Sequence, residues 1–301
     1  MPLFLLLPLL LFAGLARAAS FPMPGQEHDL VGAVRMIYAR PQDTLIDIAR
    51  REDVGQEAIL LANPEVDRWL PGAGTPVVLP LRFILPPTPY TGIVLNLPEM
   101  RVYHYPRPAG GEEARVYTYP VSIGRMDWAT PLGETRIISR ERDPSWRPPR
   151  SIREEHAADG DPLPAVVPPG PDNPLGRYAL RLAIPGYLMH GTNKEFGVGM
   201  RVSHGCIRLL PEDIEQLFGQ VAVGTPVRII NQPVKAGWFD GELYLEVHPA
   251  LAEDAESENQ LRAQAMAAID AALFGRPARV DEQAVERALA APSGMPVVIS
   301  R

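Results

Sequence analysis

Apolar and polar positions change their period several times along the chain, and the changes divide it into segments. Residues 3–13 are almost continuously apolar and run into Gly14-Leu15-Ala16-Arg17-Ala18-Ala19-Ser20. That stretch is shorter than the about 20 apolar residues a bilayer span needs, and the small-x-small triplet Ala16-Arg17-Ala18 fits cleavage of an export signal on either side of Ala19. Only the N-terminal amine supplies positive charge ahead of it, so an uncleaved anchor is the competing reading. Helical spacing begins with Thr44-Leu45-Ile46-Asp47-Ile48-Ala49-Arg50, where Asp43 or Thr44 offers an N-cap. A second helix is predicted over 56–63, halted by Asn63-Pro64. Leu70-Pro71-Gly72 then makes a turn, 75–80 a closing strand, and Leu85-Pro86-Pro87-Thr88-Pro89 an extended linker and domain boundary.

Beyond the linker the pattern shortens to alternating runs. Residues 92–97 and 101–105 predict a hairpin closed around Pro98-Glu99, and 115–123, 133–139, 178–182 and 226–230 predict further strands. Residues 211–218 predict a helix with Pro211 in its first turn and acids near its positive end. Mostly strands with few helices implies a mainly β fold, a β-sandwich or open barrel. Prolines crowd the stretch 143–174, too long for a plain connection and better read as a flap or functional loop, with Trp128, Trp146 and Tyr178 as candidate wall residues. From Leu251 onward the composition turns to Ala, Glu, Gln and Arg, and 261–273 and 285–289 read as helices without chemistry of their own.

The overall composition, 46% hydrophobic and 22% charged, is that of an ordinary globular protein. A formal net charge of −7 argues against nucleic acid or an anionic membrane surface as partner, and no later segment reads as a membrane span. The chain has one cysteine, which cannot form an intramolecular disulfide; a lone thiol in an oxidising compartment is a liability unless buried or used.

That cysteine, Cys206, lies in Arg201-Val202-Ser203-His204-Gly205-Cys206-Ile207-Arg208-Leu209, and a second histidine lies upstream in His190-Gly191-Thr192. A thiol reacts as its thiolate and needs a nearby base or cation. Residues two apart on a strand share a face, which places His204 and Arg208 beside Cys206. His190, approaching from another strand, is assigned as general base and acid, with His204 as a supporting group. Gly205 admits substrate backbone, and the N–H groups of Gly205 and Cys206 are candidate oxyanion donors. Arg208 is assigned to a substrate carboxylate, with a surface salt bridge as its alternative, and Ser203 to holding the loop. A zinc site built from the two histidines and the cysteine is the competing chemistry, disfavoured because no paired Cys-x-x-Cys or His-x-x-x-His spacing is present and His-Gly-Cys would crowd a tetrahedral centre. Two core histidines and a buried cysteine are the bland alternative, at odds with the Gly, Ser and Arg neighbours.

His190-Gly191-Thr192 followed by Ser203-His204-Gly205-Cys206-Ile207-Arg208 resembles the active-site signature of the L,D-transpeptidases, the YkuD-type catalytic domain. Ser122-Ile123-Gly124-Arg125, Thr130-Pro131-Leu132-Gly133, Pro144-Ser145-Trp146-Arg147-Pro148-Pro149, Gly170-Pro171-Asp172-Asn173-Pro174-Leu175-Gly176 and Phe196-Gly197-Val198-Gly199 resemble its Gram-negative branch, nearest the enzymes that anchor a lipoprotein. Within the first segment, the strand–helix–helix–strand order with Asp-Thr-Leu, Ile-Ala, Asn-Pro and Val-Leu-Pro resembles the peptidoglycan-binding LysM module. Four segments follow: signal peptide 1–19, LysM-like module 38–85, catalytic domain 90–231 and a partly helical C-terminal extension 232–301.

The resemblance implies attack by Cys206 on the diaminopimelate carbonyl of a peptidoglycan tetrapeptide stem. His190 protonates the departing D-Ala amine, and a thioester remains that an acceptor amine resolves. His204 and Gly205 complete the implied catalytic set, and Arg208, Ser203, Gly191 and Thr192 the substrate-binding set. The acceptor is a lipoprotein lysine or a second diaminopimelate; water would make the enzyme an L,D-carboxypeptidase. No metal or organic cofactor is implied, the location is periplasmic, and carbapenems are expected to acylate Cys206. A non-catalytic wall-binding scaffold is the reading from another class.

Overall fold

The computed structural model describes residues 19–25, 27–251 and 258–301. The segment 1–19 read as an export signal lies outside the described residues, apart from Ala19.

The first part of the chain contains strands β1 (Ala19–Pro22), β2 (Leu30–Gly32) and β3 (Arg35–Tyr38), helices α1 (Leu45–Arg51) and α2 (Gln56–Ala62), and strands β4 (Pro76–Leu79) and β5 (Arg82–Ile84). Thr44 caps α1 in a reciprocal box with Asp47, and Arg50 and Arg51 sit in its last turn, where cations oppose the helix dipole. Helix α2 ends before Asn63, whose side chain donates to the carbonyls of Ile59 and Val78 and accepts from the Val78 N–H, all at 2.8 Å. Antiparallel pairing of β3 with β4 brackets the two helices over a core of Leu45, Ile48, Ile59, Val77 and Leu79.

The central part holds β6 (Gly92–Asn96), β7 (Arg101–Tyr105), β8 (Arg115–Gly124), β9 (Gly133–Arg142), helix α3 (Arg150–Ala158), β10 (Tyr178–Leu182), β11 (Leu188–His190), β12 (Arg201–Ser203), β13 (Ile207–Leu209), helix α4 (Pro211–Gln220) and β14 (Pro226–Ile230). The sequence pattern predicts a sandwich or open barrel. The fold is mainly β as expected, and its barrel is closed: the strands form a ring, β8-β13-β11-β10-β9-β14-β6-β7, because β7 pairs back onto β8. Closure satisfies edge N–H and C=O groups that an open sheet would leave bare. Ile93, Leu95, Val102, Val121, Ile137, Leu180, Ile207 and Leu209 fill the main core, and Ile214 and Leu217 of α4 pack into it. The alternate residues Val94, Tyr103 and Tyr105 are buried on the opposite face with Val31 and Phe83 of the first segment.

The last part differs more from expectation. Besides helices α5 (Glu258–Leu273) and α6 (Glu282–Ala290), it contains strands β15 (Val234–Phe239), β16 (Glu242–Val247) and β17 (Val297–Val298), an antiparallel sheet on which α5 and α6 pack. The β15–β16 turn is Asp240-Gly241, at φ 48° and 82°, the left-handed pair that two-residue hairpins require. No described helix is long and apolar enough to cross a membrane.

Candidate active site

Two parallel neighbours, β11 and β13, set the site, with His190 opposite Arg208 and Met189 opposite Ile207. Cys206 immediately precedes β13, and it lines a cleft of about 780 Å³ together with His190, His204, Arg208 and Thr192. The expectation that residues 204, 206 and 208 share one strand face is corrected here. β12 ends at Ser203 and β13 starts at Ile207, so 204–206 form a turn, driven by Gly205 at φ 95°. A Cβ on Gly205 would stand 2.7 Å from the Tyr187 ring, so this position needs glycine for both conformation and space. The turn is pinned from both sides. The Ser203 hydroxyl donates to the Cys206 carbonyl, and the Thr130 hydroxyl donates to the Gly205 carbonyl at 2.9 Å while accepting from the Gly124 N–H at 3.0 Å.

His190 is buried, and its Nδ1 lies 2.6 Å from the Gly191 carbonyl. A carbonyl only accepts, so Nδ1 carries the proton and Nε2 is left with a free lone pair. Burial, with the Arg208 charge adding to it, pulls the ring pKa down to about 3, so His190 is a neutral imidazole across the ordinary pH range. The half-buried Cys206 Sγ lies 3.7 Å from the Gly186 carbonyl. Burial raises the thiol pKa, opposed by the Leu188 N–H and by the charges of Arg208 and Arg181. A neutral thiol and a neutral base lining one cleft are a pair that can move a proton during attack. Arg208 lines the same cleft with a buried Nε that has no hydrogen-bond partner, and it forms no salt bridge among the described residues. Burial lowers its pKa. A cleft-lining guanidinium with an unsatisfied Nε is suited to an incoming carboxylate.

Gly191 and Thr192 shape the wall behind His190. A Cβ on Gly191 would lie 3.2 Å from Ile214 and 3.3 Å from the Leu175 carbonyl. The Thr192 hydroxyl accepts from the Lys194 N–H at 2.9 Å and closes the turn.

His204 is placed by residues that sequence reasoning did not assign. Its Nε2 lies 3.0 Å from Glu155 of α3, and Trp128 packs edge-on against its ring at 5.3 Å between centroids. Arg125 holds the other Glu155 oxygen. Helix α3 lies inside the proline-rich stretch 143–174, which the Trp146–Val167 bridge and the Asn173 side chain, donating to Pro144 O at 2.8 Å, gather into a wall of the cleft. Trp128 and Trp146 line that cleft. Tyr178 does not: it points into the barrel, stacks on Phe218 and donates to Glu215, because β10 alternates and Ala179 takes the cleft side. The spacing Arg150 to Glu154 to Ala158 around a buried Ile152 was the available sign of a helix in this segment, masked by the prolines on either side.

Among the described residues, Glu99, Glu246 and His248 bring three metal-type ligand atoms together, outside this cleft. The Lys235 ammonium already stands there, 2.6 Å from Glu99 and 2.9 Å from Glu246, and occupies the place a cation would take.

Comparison with known proteins places the chain in a family. Residues 90–229 match the L,D-transpeptidase catalytic domain, and residues 233–299 match the L,D-transpeptidase C-terminal domain. The chain is 40% identical over 294 residues to the protein named "Probable L,D-transpeptidase YcfS" of Escherichia coli, covering 95% of this chain and 90% of that one. It is 41% identical over 296 residues to "Probable L,D-transpeptidase ErfK/SrfK" of Salmonella typhimurium, covering 97% and 94%. Among solved structures, L,D-transpeptidase 3 from Mycobacterium tuberculosis aligns at 21% identity and a TM-score of 0.34, over 72% of this chain and 99% of that one.

Proposed function

The chain belongs to the L,D-transpeptidase family, and we propose that its reaction runs through Cys206 with His190 as proton carrier. The observation that carries the reading is the juxtaposition at the β11–β13 pair: a cleft-lining thiol in the turn just ahead of β13, and on the parallel neighbour β11 a neutral imidazole whose Nδ1 is tied back. Cys206 Sγ attacks the diaminopimelate carbonyl of a tetrapeptide stem as its proton passes to His190 Nε2. The C–N bond to D-Ala breaks, the same proton leaves on the D-Ala amine, and a thioester remains. An acceptor amine then attacks and gives its proton to His190, the C–S bond breaks, and His190 returns that proton to the leaving sulfur, restoring the thiol. Gly205 and Cys206 N–H groups hold the oxyanion, His204 supports the turn, and Arg208 receives a substrate carboxylate, with Ser203, Gly191 and Thr192 shaping the pocket. A thioester conserves the energy of the bond it replaces, so the transfer needs no nucleotide.

The acceptor is an amine, either a lipoprotein lysine or a second diaminopimelate, and the working compartment is the periplasm, reached through the apolar N-terminal run. The segment 38–85 acts as a LysM-like wall-binding module; the bracket of β3 and β4 around two helices supports this, as do exposed Tyr38, Trp69 and Leu70. Purified protein incubated with disaccharide-tetrapeptide and a choice of acceptors tests the reading. Released D-Ala with an amide to one acceptor amine is the expected product. Release of tripeptide alone would make the enzyme a carboxypeptidase. Wall binding with no D-Ala release by either wild type or Cys206→Ala would leave only a scaffold.

A further inference from the structure

The mechanism uses His204 only as a support, yet this ring is the most elaborately held group in the cleft. Its Nε2 faces Glu155 Oε2 at 3.0 Å. The second Glu155 oxygen is taken by Arg125, whose Nε also binds Asp127 at 2.9 Å. Arg125 is itself tied to the signature turn, since its backbone N–H donates to the Ser203 carbonyl at 3.0 Å. Trp128 follows from the same short stretch, its N–H donating to the Arg125 carbonyl at 2.9 Å, and closes the other side of the ring. The chain of contacts therefore runs from flap helix, through one carboxylate, to the turn that carries Cys206.

The other side-chain ion pairs of α3 stay within the flap, although the His156 ring also lies against His204, 6.4 Å between centroids. Arg150 pairs with Glu154, and His156 with Asp161. Among the described residues, Glu155 is the α3 side chain whose hydrogen bonds leave the flap for the floor. Its carboxylate is kept ionised by Arg125, and an ionised carboxylate only accepts. His204 Nε2 must then carry a proton, which fixes the tautomer and the ring plane in the manner of carboxylate-oriented histidines generally.

We propose that Glu155 is a positioning residue of the acyl-transfer reaction: it fastens the flap over the cleft by holding His204, so that flap closure and the setting of the Cys206 turn are one event. The proposal rests on the reading of Cys206 as nucleophile. Glu155 acts through His204 and not on substrate.

The test is a cycle of variants with Cys206 acylation by a carbapenem as the rate, read by intact mass. Glu155→Gln keeps the shape and removes the charge, and it should slow acylation about tenfold. In a His204→Ala background the same change should cost less than about twofold, since the residue it acts through is gone. In Glu155→Gln, His204 should titrate at lower pH by NMR, because the carboxylate is what opposes the effect of burial. Trypsin supplies a readout independent of activity: cutting after Arg150 and Arg153 should accelerate several-fold in Glu155→Gln with the melting temperature of the whole protein unchanged. An acylation rate within about twofold of wild type, an equal loss in both backgrounds, or unchanged nicking would each overturn the proposal. Wild-type protein that is folded and reduced yet takes no acyl group would instead overturn the nucleophile reading beneath it.

Discussion

At the scale of residues, the site depends on a few groups held in states they would not adopt alone. Gly205 is one. At φ 95° and with the Tyr187 ring against it, it has no room for a side chain, so Gly205→Ala should cut acylation of Cys206 by at least about tenfold in protein that still folds, at a stability cost of about 1–3 kcal/mol. A near-wild-type rate would mean that the turn tolerates rearrangement. His190 is another. With a ring pKa of about 3 the base is ready throughout the working range, so single-turnover acylation should lack, between about pH 7 and 5, the tenfold-per-unit fall that a base titrating near 6.5 would impose. Such a fall, seen in folded protein, would assign the base elsewhere. The residue types were legible in the sequence. A single cysteine, two histidines and clustered glycines state a nucleophile and its base, and parity along an extended chain placed His204 near Cys206. The reason was wrong, because period-two reasoning holds only while the chain stays extended, and Gly205 turns it. Glu155 was not legible, since its partners Arg125 and His204 are far from it in sequence and one acid in a charged helix carries no signal.

At the scale of elements, the first segment is built into the catalytic barrel. The N–H groups of Gln56 and Glu57, at the start of α2, donate to the carbonyls of Val198 and Gly199 just ahead of β12, both at 3.1 Å. Arg50 reaches Glu195 and Glu212. Beside these contacts, Asp53 and Asp213 are buried face to face without hydrogen-bond partners on their oxygens other than each other. Burial raises both pKa values, that of Asp53 from 3.8 to about 6. The folded state thus keeps a proton that the unfolded chain releases at about 3.8, so this pair's contribution to stability is intact below that pH and is lost as pH rises through about 6. Asp53→Asn should therefore stabilise the protein at pH 7 by about 1–3 kcal/mol in urea unfolding, and gain little near pH 4. Asn also suits the left-handed backbone of Asp53, φ 55°. Equal effects at both pH values would rule out the titration. Elements whose information is local were readable: the N-cap of α1, the stop at Asn63-Pro64, and the β6–β7 hairpin. The β15–β16 hairpin is equally local, with Asp240-Gly241 between apolar runs, but its signal is short beside the helix-favouring, Ala-rich composition that follows.

At the scale of the whole molecule, three stretches of chain meet at one ammonium. Lys235 of the C-terminal part is buried against Glu99 of the barrel, Glu246 of β16 and the Ile84 carbonyl of β5, and Glu246 also accepts from the Ile84 N–H at 2.7 Å and pairs with His248. Removing the cation strands two buried carboxylates, so Lys235→Met should cost about 3–5 kcal/mol, read as a lower urea midpoint for the whole chain. Loss confined to a separate transition of residues 233–299 would show that the C-terminal part is not fastened to the barrel in this way. This level was closed to sequence reasoning. Ring closure of the barrel and the lysine junction are pairings between residues far apart in the chain, and neither periodicity nor composition encodes such distances.

The central claim, that Cys206 carries the acyl group, is tested most directly by intact-protein and peptide mass spectrometry after incubation with disaccharide-tetrapeptide and no acceptor. The predicted result is one equivalent of free D-Ala and a disaccharide-tripeptide thioester on the Cys206 peptide, absent in Cys206→Ala. D-Ala release that persists in Cys206→Ala, or an adduct on any other residue, would contradict it.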